Sequence, residues 1–381
     1  MRILFIGHSG YGYPHTRVRC YHFAKILSTM PGIETGVLSF KDDLAPHHSE
    51  AAMYESLRDR EKLWLSWKAL RRLVDESQSV LYIQKAHFHA AAPYLLYRLG
   101  WLRNYIFDYD DYDIPLSNFF GRGIWNRLWF GTNRWDEITF QIARGARGCV
   151  VASHGLQELL EPVNPNVAYV PTGVDAAAFQ PAPEKTGGQP LTFLWNGLVW
   201  GPPIVENLRF LFRAYDWVAH QMPEARLLII GGGAQWQEVR DLAQEQFSHL
   251  PIEWVEWVKP ENMPRLLQSA DVALLPAAGD DLWLRCKSPT KLFEYMASGL
   301  PVVASDTGEA SHVVHHLQTG MLAADEREFG QAMLRLANNR AMRAEFGQKA
   351  RLTITQNYAL PVLGENLYTF FQKTFPEEFS V

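Results

Sequence analysis

The chain has 381 residues, 47% hydrophobic and 20% charged, with 36 Lys and Arg against 41 Asp and Glu. That length exceeds what one core usually organises and predicts two domains, and a net charge of -5 argues against a dedicated nucleic-acid binder, which would be basic. Cys20, Cys149 and Cys286 are too few and too far apart for a disulfide framework or a zinc site, which fits a reducing cytoplasm, and no apolar run reaches the roughly 18 residues of a membrane span.

Met1-Arg2 leads straight into Ile3–Gly7, too short for a signal-peptide core and readable as a buried strand. A loop rich in Gly, Tyr and His follows, then a helix around Arg17–Leu27. In that loop Gly10 and Gly12 would let a substrate approach the backbone, and Arg17 or Arg19 could meet a phosphate; two solvated arginines are the plain alternative. Strands are predicted at Thr35–Phe40, Val80–Ile83, Tyr105–Phe107, Gly148–Val151 and Val167–Val170, separated by helices as in parallel βαβ units. His87 lies in Gln84–His89, just past one strand, where it faces a site or makes an ordinary hydrogen bond.

Phe107–Asp113 ends another strand with four carboxylates in six residues, whose mutual repulsion a purely structural role must explain. Asp110 or Asp111 could orient a hydroxyl, whereas Asp108-x-Asp110 would also suit Mg or Mn. Phe119–Phe130 interleaves five aromatics with two arginines and no acids, and Leu63–Trp67 runs on to Lys68, Arg71 and Arg72. Such segments either pack in a core or dock on an anionic membrane.

Pro181–Pro190, with three Pro and two Gly, reads as an inter-domain linker. The alternation then restarts, with strands at Leu191–Trp195, Arg226–Ile230, Ile252–Val255, Val272–Leu275 and Pro301–Ala304, and helices such as Val205–His220 and Met263–Ser269. Leu227–Ile230 and Val272–Leu275 are apolar on both faces, as covered parallel strands are. The fold class is therefore α/β, with doubly wound parallel-sheet domains over 1–182 and 190–358 and an amphipathic last helix within 359–381.

Lys287–Ala304 carries the chemistry of the second half. Ser288 then Pro289 read as N-cap and first helical residue, and Gly299 ends the helix. Leu292, Phe293, Met296 and Ala297 share one face; Lys291, Glu294 and Ser298 share another. A helix N-terminus at the carboxyl edge of a parallel sheet, with Lys287 outside it and Lys291 in its first turn, makes an anion site. Glu294, one turn on, is spaced to accept two ribose hydroxyls. A solvated Lys/Glu pair is the plain alternative.

This stretch resembles the donor-site helix of glycosyltransferase family 4, in a Ser-Pro-x-Lys-Leu-Phe-Glu variant of its motif. The resemblance implies that Glu294, as the last Glu of a Glu-x7-Glu motif, holds the ribose; the first Glu would stand at 286, where this chain has Cys286. Pro171–Pro181 is also similar to the family, with Gly173 and Phe179 in structural roles. Gly197 is followed by Leu198 where the family has Gly-Arg, so Arg285, Lys287 and Lys291 are the candidates to supply the missing charge. Glu253–Val258 resembles the segment that reads the base, which adds Trp257 and Val258 to a nucleotide site containing Ser288, Pro289 and Thr290; Trp257 stacks on the base or merely packs. Relatives have a His-Asp pair roughly where Asp110-Asp111 stand.

The resemblance implies a GT-B fold, with two Rossmann-like domains facing across a cleft and the last helix crossing back to the first. It implies hexose transfer from a nucleotide-diphosphate sugar to an acceptor hydroxyl, with retention, without metal or cofactor, and with Asp110 or Asp111 and Lys291 as catalytic groups. Gly10, Gly12, Arg17, Arg19 and His87 would line the acceptor side. A saccharide or lipid-linked acceptor in cell-surface polysaccharide or glycolipid assembly would place the chain in the cytoplasm, peripheral at the inner membrane face through Phe119–Phe130. Two other classes stay open. One is a non-catalytic GT-B partner; the other is an NAD-dependent dehydrogenase, which would need a third glycine in register within His8–His15.

Overall fold

The structure, a computed structural model, describes residues 1–183 and 190–379; residues 184–189 of the expected linker lie outside the described residues. The chain divides into two compact units. The first comprises Met1–Thr172, Cys286–Ser288 and Leu360–Val381; the second comprises Gly173–Arg285 and Pro289–Ala359.

In the first unit, β1 (Arg2–Gly7), β2 (Glu34–Ser39), β3 (Val80–Gln84), β4 (Tyr105–Tyr109), β5 (Gly148–Val151) and β6 (Val167–Tyr169) form one sheet in the order β2-β1-β3-β4-β5-β6. Every pairing is parallel. Alternate side chains feed two cores, as the two-residue period of a strand requires. Leu4, Ile6, Leu81, Ile83 and Phe107 enter one; Ile3, Phe5, Val80, Tyr82 and Ile106 enter the other. The second core is closed by Leu363, Leu367, Phe370 and Phe371 of the last helix, Leu360–Thr374. The expected Arg17–Leu27 helix begins earlier, at Pro14–Thr16, widens into a π turn over Arg17–His22 and ends as Phe23–Leu27.

In the second unit, β7 (Thr192–Leu198), β8 (Arg226–Gly232), β9 (Ile252–Glu256), β10 (Val272–Leu275), β11 (Val302–Ser305) and β12 (Gly320–Ala323) run in the order β12-β11-β10-β7-β8-β9, again all parallel. β12 is absent from the sequence reading; four residues opening on a glycine carry little pattern. Each sheet reverses its direction of growth once, between β1 and β3 and between β7 and β10. Loops diverge at such a switch point and leave a crevice at the carboxyl ends of the strands, where doubly wound sheets bind ligands. In the second unit β10 pairs with β7 only at Phe193 and Leu194, while β8 accompanies β7 to Leu198.

Candidate functional site

After β10 a short helix, Leu282–Arg285, precedes the one that carries the candidate residues, which spans Thr290–Ala297. Sequence placed its start at Ser288, but Pro289 takes the cap position with ψ 87° and no side-chain cap bond. Ser288 Oγ, buried and without a hydrogen-bond partner among the described residues, does not cap it. The first-turn amides, including that of Thr290, therefore lack a side-chain cap. Leu292, Phe293, Tyr295, Met296 and Ala297 are buried and seat the helix on Leu194, Ala273 and Val302.

Lys291 leaves that face, and its Nζ lies 4.4 Å from the ring centroid of Trp195 on β7. Glu294, one turn on, is half-buried. The Tyr295 hydroxyl accepts the Asn196 N–H at 3.0 Å, tying β7 to the helix. Gly197 adjoins the lysine, since a Cβ there would stand 2.5 Å from Nζ. Trp257, just past β9, is 58% exposed, so the core-packing alternative for its ring does not hold. Val258 is half-buried against the helix-side core. Arg285 is exposed, 3.9 Å from Asp280.

Cys286 is fully buried in a core of the first unit, and its carbonyl accepts a 2.7 Å bond from Ser153. Position 286 thus faces core, and Lys287 and Ser288 group with the first unit rather than with the helix they precede.

In the first unit, the loop after β1 is taken up by the chain's own carboxylates. Gly10 N–H lies 3.2 Å from both Glu50 oxygens, and Tyr11 N–H lies 2.8 Å from Asp42 Oδ2. Gly10 is buried, and the missing Cβ makes room for Asp42 rather than for a substrate. Gly12 is exposed, with Glu50 Oε1 3.2 Å from where its Cβ would be. Arg17 is half-buried over the Tyr11 ring.

Arg19 does not face an acceptor. It is fully buried, paired through two nitrogens with Asp108 and donating to the Val170 carbonyl. The same pairing removes Asp108 from the alternative Asp108-x-Asp110 metal pair. Burial pushes the Asp108 carboxyl up to about 6, with Arg19 opposing.

The residues that do converge are Lys85, His87, Asp110 and Asp113, all buried at the carboxyl ends of β3 and β4. Lys85 has a φ of 65°, a left-handed conformation that costs a non-glycine residue ~1–3 kcal/mol. Its Nζ lies 3.6 Å from Asp110 Oδ1 and 3.5 Å from Asp113 Oδ2. Gln84 donates to Asp110 Oδ2 at 2.9 Å. His87 Nδ1 accepts the Asn118 N–H at 2.7 Å, which puts the ring proton on Nε2, 3.0 Å from Asp113 Oδ2. Burial raises the Asp113 carboxyl, but Lys85 and then His87 outweigh it and bring it down to about 2. Burial holds the neighbouring His89 ring down to about 3. Asp111 is half-buried, and its Oδ1 has no hydrogen-bond partner among the described residues.

Lys85 and Asp113 are missing from the sequence candidates. The signal was the carboxylate run itself, because four acids at one strand end require a buried cation nearby. Among the described residues, no group of three or more His, Cys, Asp or Glu is arranged to hold a metal ion.

The aromatic segments divide. Phe119, Phe120 and Phe130 are core residues, whereas Ile124 and Leu128 are 68% and 67% exposed. Trp64 and Trp67 stack at 4.8 Å on the surface. With Leu63, Trp125, three arginines (Arg58, Arg60, Arg122) and two acids (Asp59, Glu61) they line a groove of about 1170 Å³. Among the described residues no helix is long and apolar enough to cross a membrane.

Comparison with known proteins bears on both units. Residues 192–339 match the family described as glycosyl transferases group 1. The GDP-mannose-dependent alpha-(1-6)-phosphatidylinositol monomannoside mannosyltransferase of Mycobacterium tuberculosis is 25% identical over 321 residues, 80% of this chain and 78% of that protein. The corresponding monoacylated-substrate enzyme of Corynebacterium glutamicum is 25% identical over 221 residues, 55% of this chain and 57% of its own length. Among solved structures, Anabaena Alr3699/HepE in complex with UDP has a TM-score of 0.67 at 13% identity, covering 98% of this chain and 100% of that one. Sucrose-phosphate synthase from Thermosynechococcus elongatus has a TM-score of 0.69 at 16% identity, covering 99% and 100%. These likenesses establish the expected GT-B fold.

Proposed function

We infer that this chain is a glycosyltransferase that moves a sugar from a nucleotide-diphosphate sugar to an acceptor hydroxyl. The observation that carries this is the Thr290–Ala297 helix, with Lys291 over the Trp195 ring of β7 and Glu294 one turn on, inside the stretch that matches the glycosyltransferase family. The uncapped first-turn amides and the Lys291 ammonium bind the diphosphate. Glu294 takes the ribose hydroxyls, and the exposed Trp257 ring and the Val258 backbone meet the base. As the bond from the sugar to the diphosphate breaks, negative charge grows on the leaving phosphate. Fixed donors and a cation stabilise that charge without reorganising.

On the acceptor side, Asp110 is the orienting carboxylate in this reading rather than Asp111, because Gln84 and Lys85 hold it in place. Transfer with retention, without metal or cofactor, follows the resemblance to glycosyltransferase family 4. A lipid-linked acceptor fits the exposed apolar Trp64, Trp67, Ile124 and Leu128, which lie beside charges of both signs, and would place the chain at the inner membrane face in glycolipid assembly. The relatives that act on phosphatidylinositol mannosides support this choice.

The test is release of nucleoside diphosphate from GDP-mannose or UDP-glucose by the purified chain in EDTA, with water or added lipid extract as acceptor. We expect release with one donor and its loss in Lys291→Ala and Glu294→Ala. No release from any nucleotide sugar would overturn the reading, and release that EDTA abolishes would overturn metal independence.

A further inference from the structure

Lys291 sits in the first turn of a helix, where the dipole disfavours a cation, and its ammonium lies over the Trp195 ring. β7 presents Trp195 and, two residues on and on the same face, Gly197. Trp195 is 2% exposed and packed in the core that contains Val205 and Trp236. Its ring is therefore a fixed surface, 4.4 Å from Lys291 Nζ at the centroid. A Cβ on Gly197 would stand 2.5 Å from that Nζ and 3.0 Å from two atoms of the Trp195 ring. The lysine comes from the β10 side, where β10 has already stopped pairing with β7 beyond Leu194, and that gap gives its side chain a path. The loop after β7 supplies no cation of its own: between Gly197 and Arg209 there is no Lys or Arg.

We propose that Trp195 and Gly197 are positioning residues that form a socket for the Lys291 ammonium and present it to the diphosphate of the nucleotide sugar. An aromatic face attracts an ammonium without cancelling its charge. Gly197 is required for the space it leaves. The proposal rests on reading the second unit as the nucleotide-sugar site, and it adds the source of the charge that the β7 loop lacks.

The experiment is isothermal titration of the full chain with UDP, UMP, GDP and GMP. Wild type should prefer the diphosphate of one base, and Lys291→Met should remove that preference. Trp195→Leu should narrow the diphosphate-to-monophosphate ratio by roughly 2- to 30-fold with monophosphate affinity unchanged, and Trp195→Phe should restore most of it. Gly197→Ala, which leaves the tryptophan in place, should narrow it as Trp195→Leu does and guards against a folding defect in the latter. An unchanged ratio in both Trp195→Leu and Gly197→Ala would overturn the socket, as would equal loss of mono- and diphosphate. Failure of wild type to bind either diphosphate would instead overturn the nucleotide-sugar reading, and the socket's role with it.

Discussion

Arg19 and Asp108 show how one buried contact redefines two residues. With both side chains out of water, removal of the arginine leaves an uncompensated buried carboxylate, at a cost of ~3–5 kcal/mol. Arg19→Met should lower the urea midpoint accordingly, and Arg19→Met/Asp108→Leu should recover most of the loss. A neutral single variant would mean that the buried pair does not stabilise the fold. Asp113 sets a pH dependence. Its carboxyl titrates near 3.9 when unfolded and at about 2 when folded. A depressed folded value contributes stability in full above the unfolded pKa and loses it as pH falls through the folded one, here roughly 2–3 kcal/mol between about pH 4 and 2. Asp108, raised to about 6, has the opposite sign, weakening stability as pH rises from about 4 to 6. The check is therefore the difference between wild-type and Asp113→Asn melting curves over pH 2–5, which should shrink as pH falls. Sequence showed the acids at 108–113 but not which of them was paired, because Arg19 and Lys85 are distant in the chain and are brought in by β1 and β3.

At the scale of elements, the last helix completes the first unit. Phe371 is fully buried between it and the sheet, so Phe371→Ala should cost ~3–5 kcal/mol in chemical denaturation. A loss below 1 kcal/mol would mean that the helix is not part of that core. Elements were legible where burial was extreme: β8 and β10 are apolar on both faces and read directly as covered parallel strands. β12 was not, since four residues beginning at Gly320 carry neither length nor alternation. The start of the Thr290–Ala297 helix was misplaced because Ser-Pro is the usual signal for a cap, whereas Pro289 here sits outside the helix with a non-helical ψ. Trp257 shows the same limit, since an exposed tryptophan and a packed one have the same sequence signature.

For the molecule as a whole, topology rather than composition locates function. The net charge of -5 carries no hint of an anion site. Yet each sheet reverses its growth once, and polar candidates lie at strand ends beside the reversals: Lys85, His87, Asp110 and Asp113 after β3 and β4, and Lys291 over Trp195 of β7. The second of these is the site proposed to bind a nucleoside diphosphate. Its most direct test is a thermal shift of the full chain against UDP, GDP, ADP, TDP and NAD, with and without EDTA. Ligand at a hundredfold excess over its Kd stabilises the native state by about 2.7 kcal/mol, enough to move the melting temperature by several degrees. A rise is expected with one nucleoside diphosphate, indifferent to EDTA and lost in Lys291→Ala and Glu294→Ala. A rise with NAD alone, or one that survives both substitutions, would contradict it.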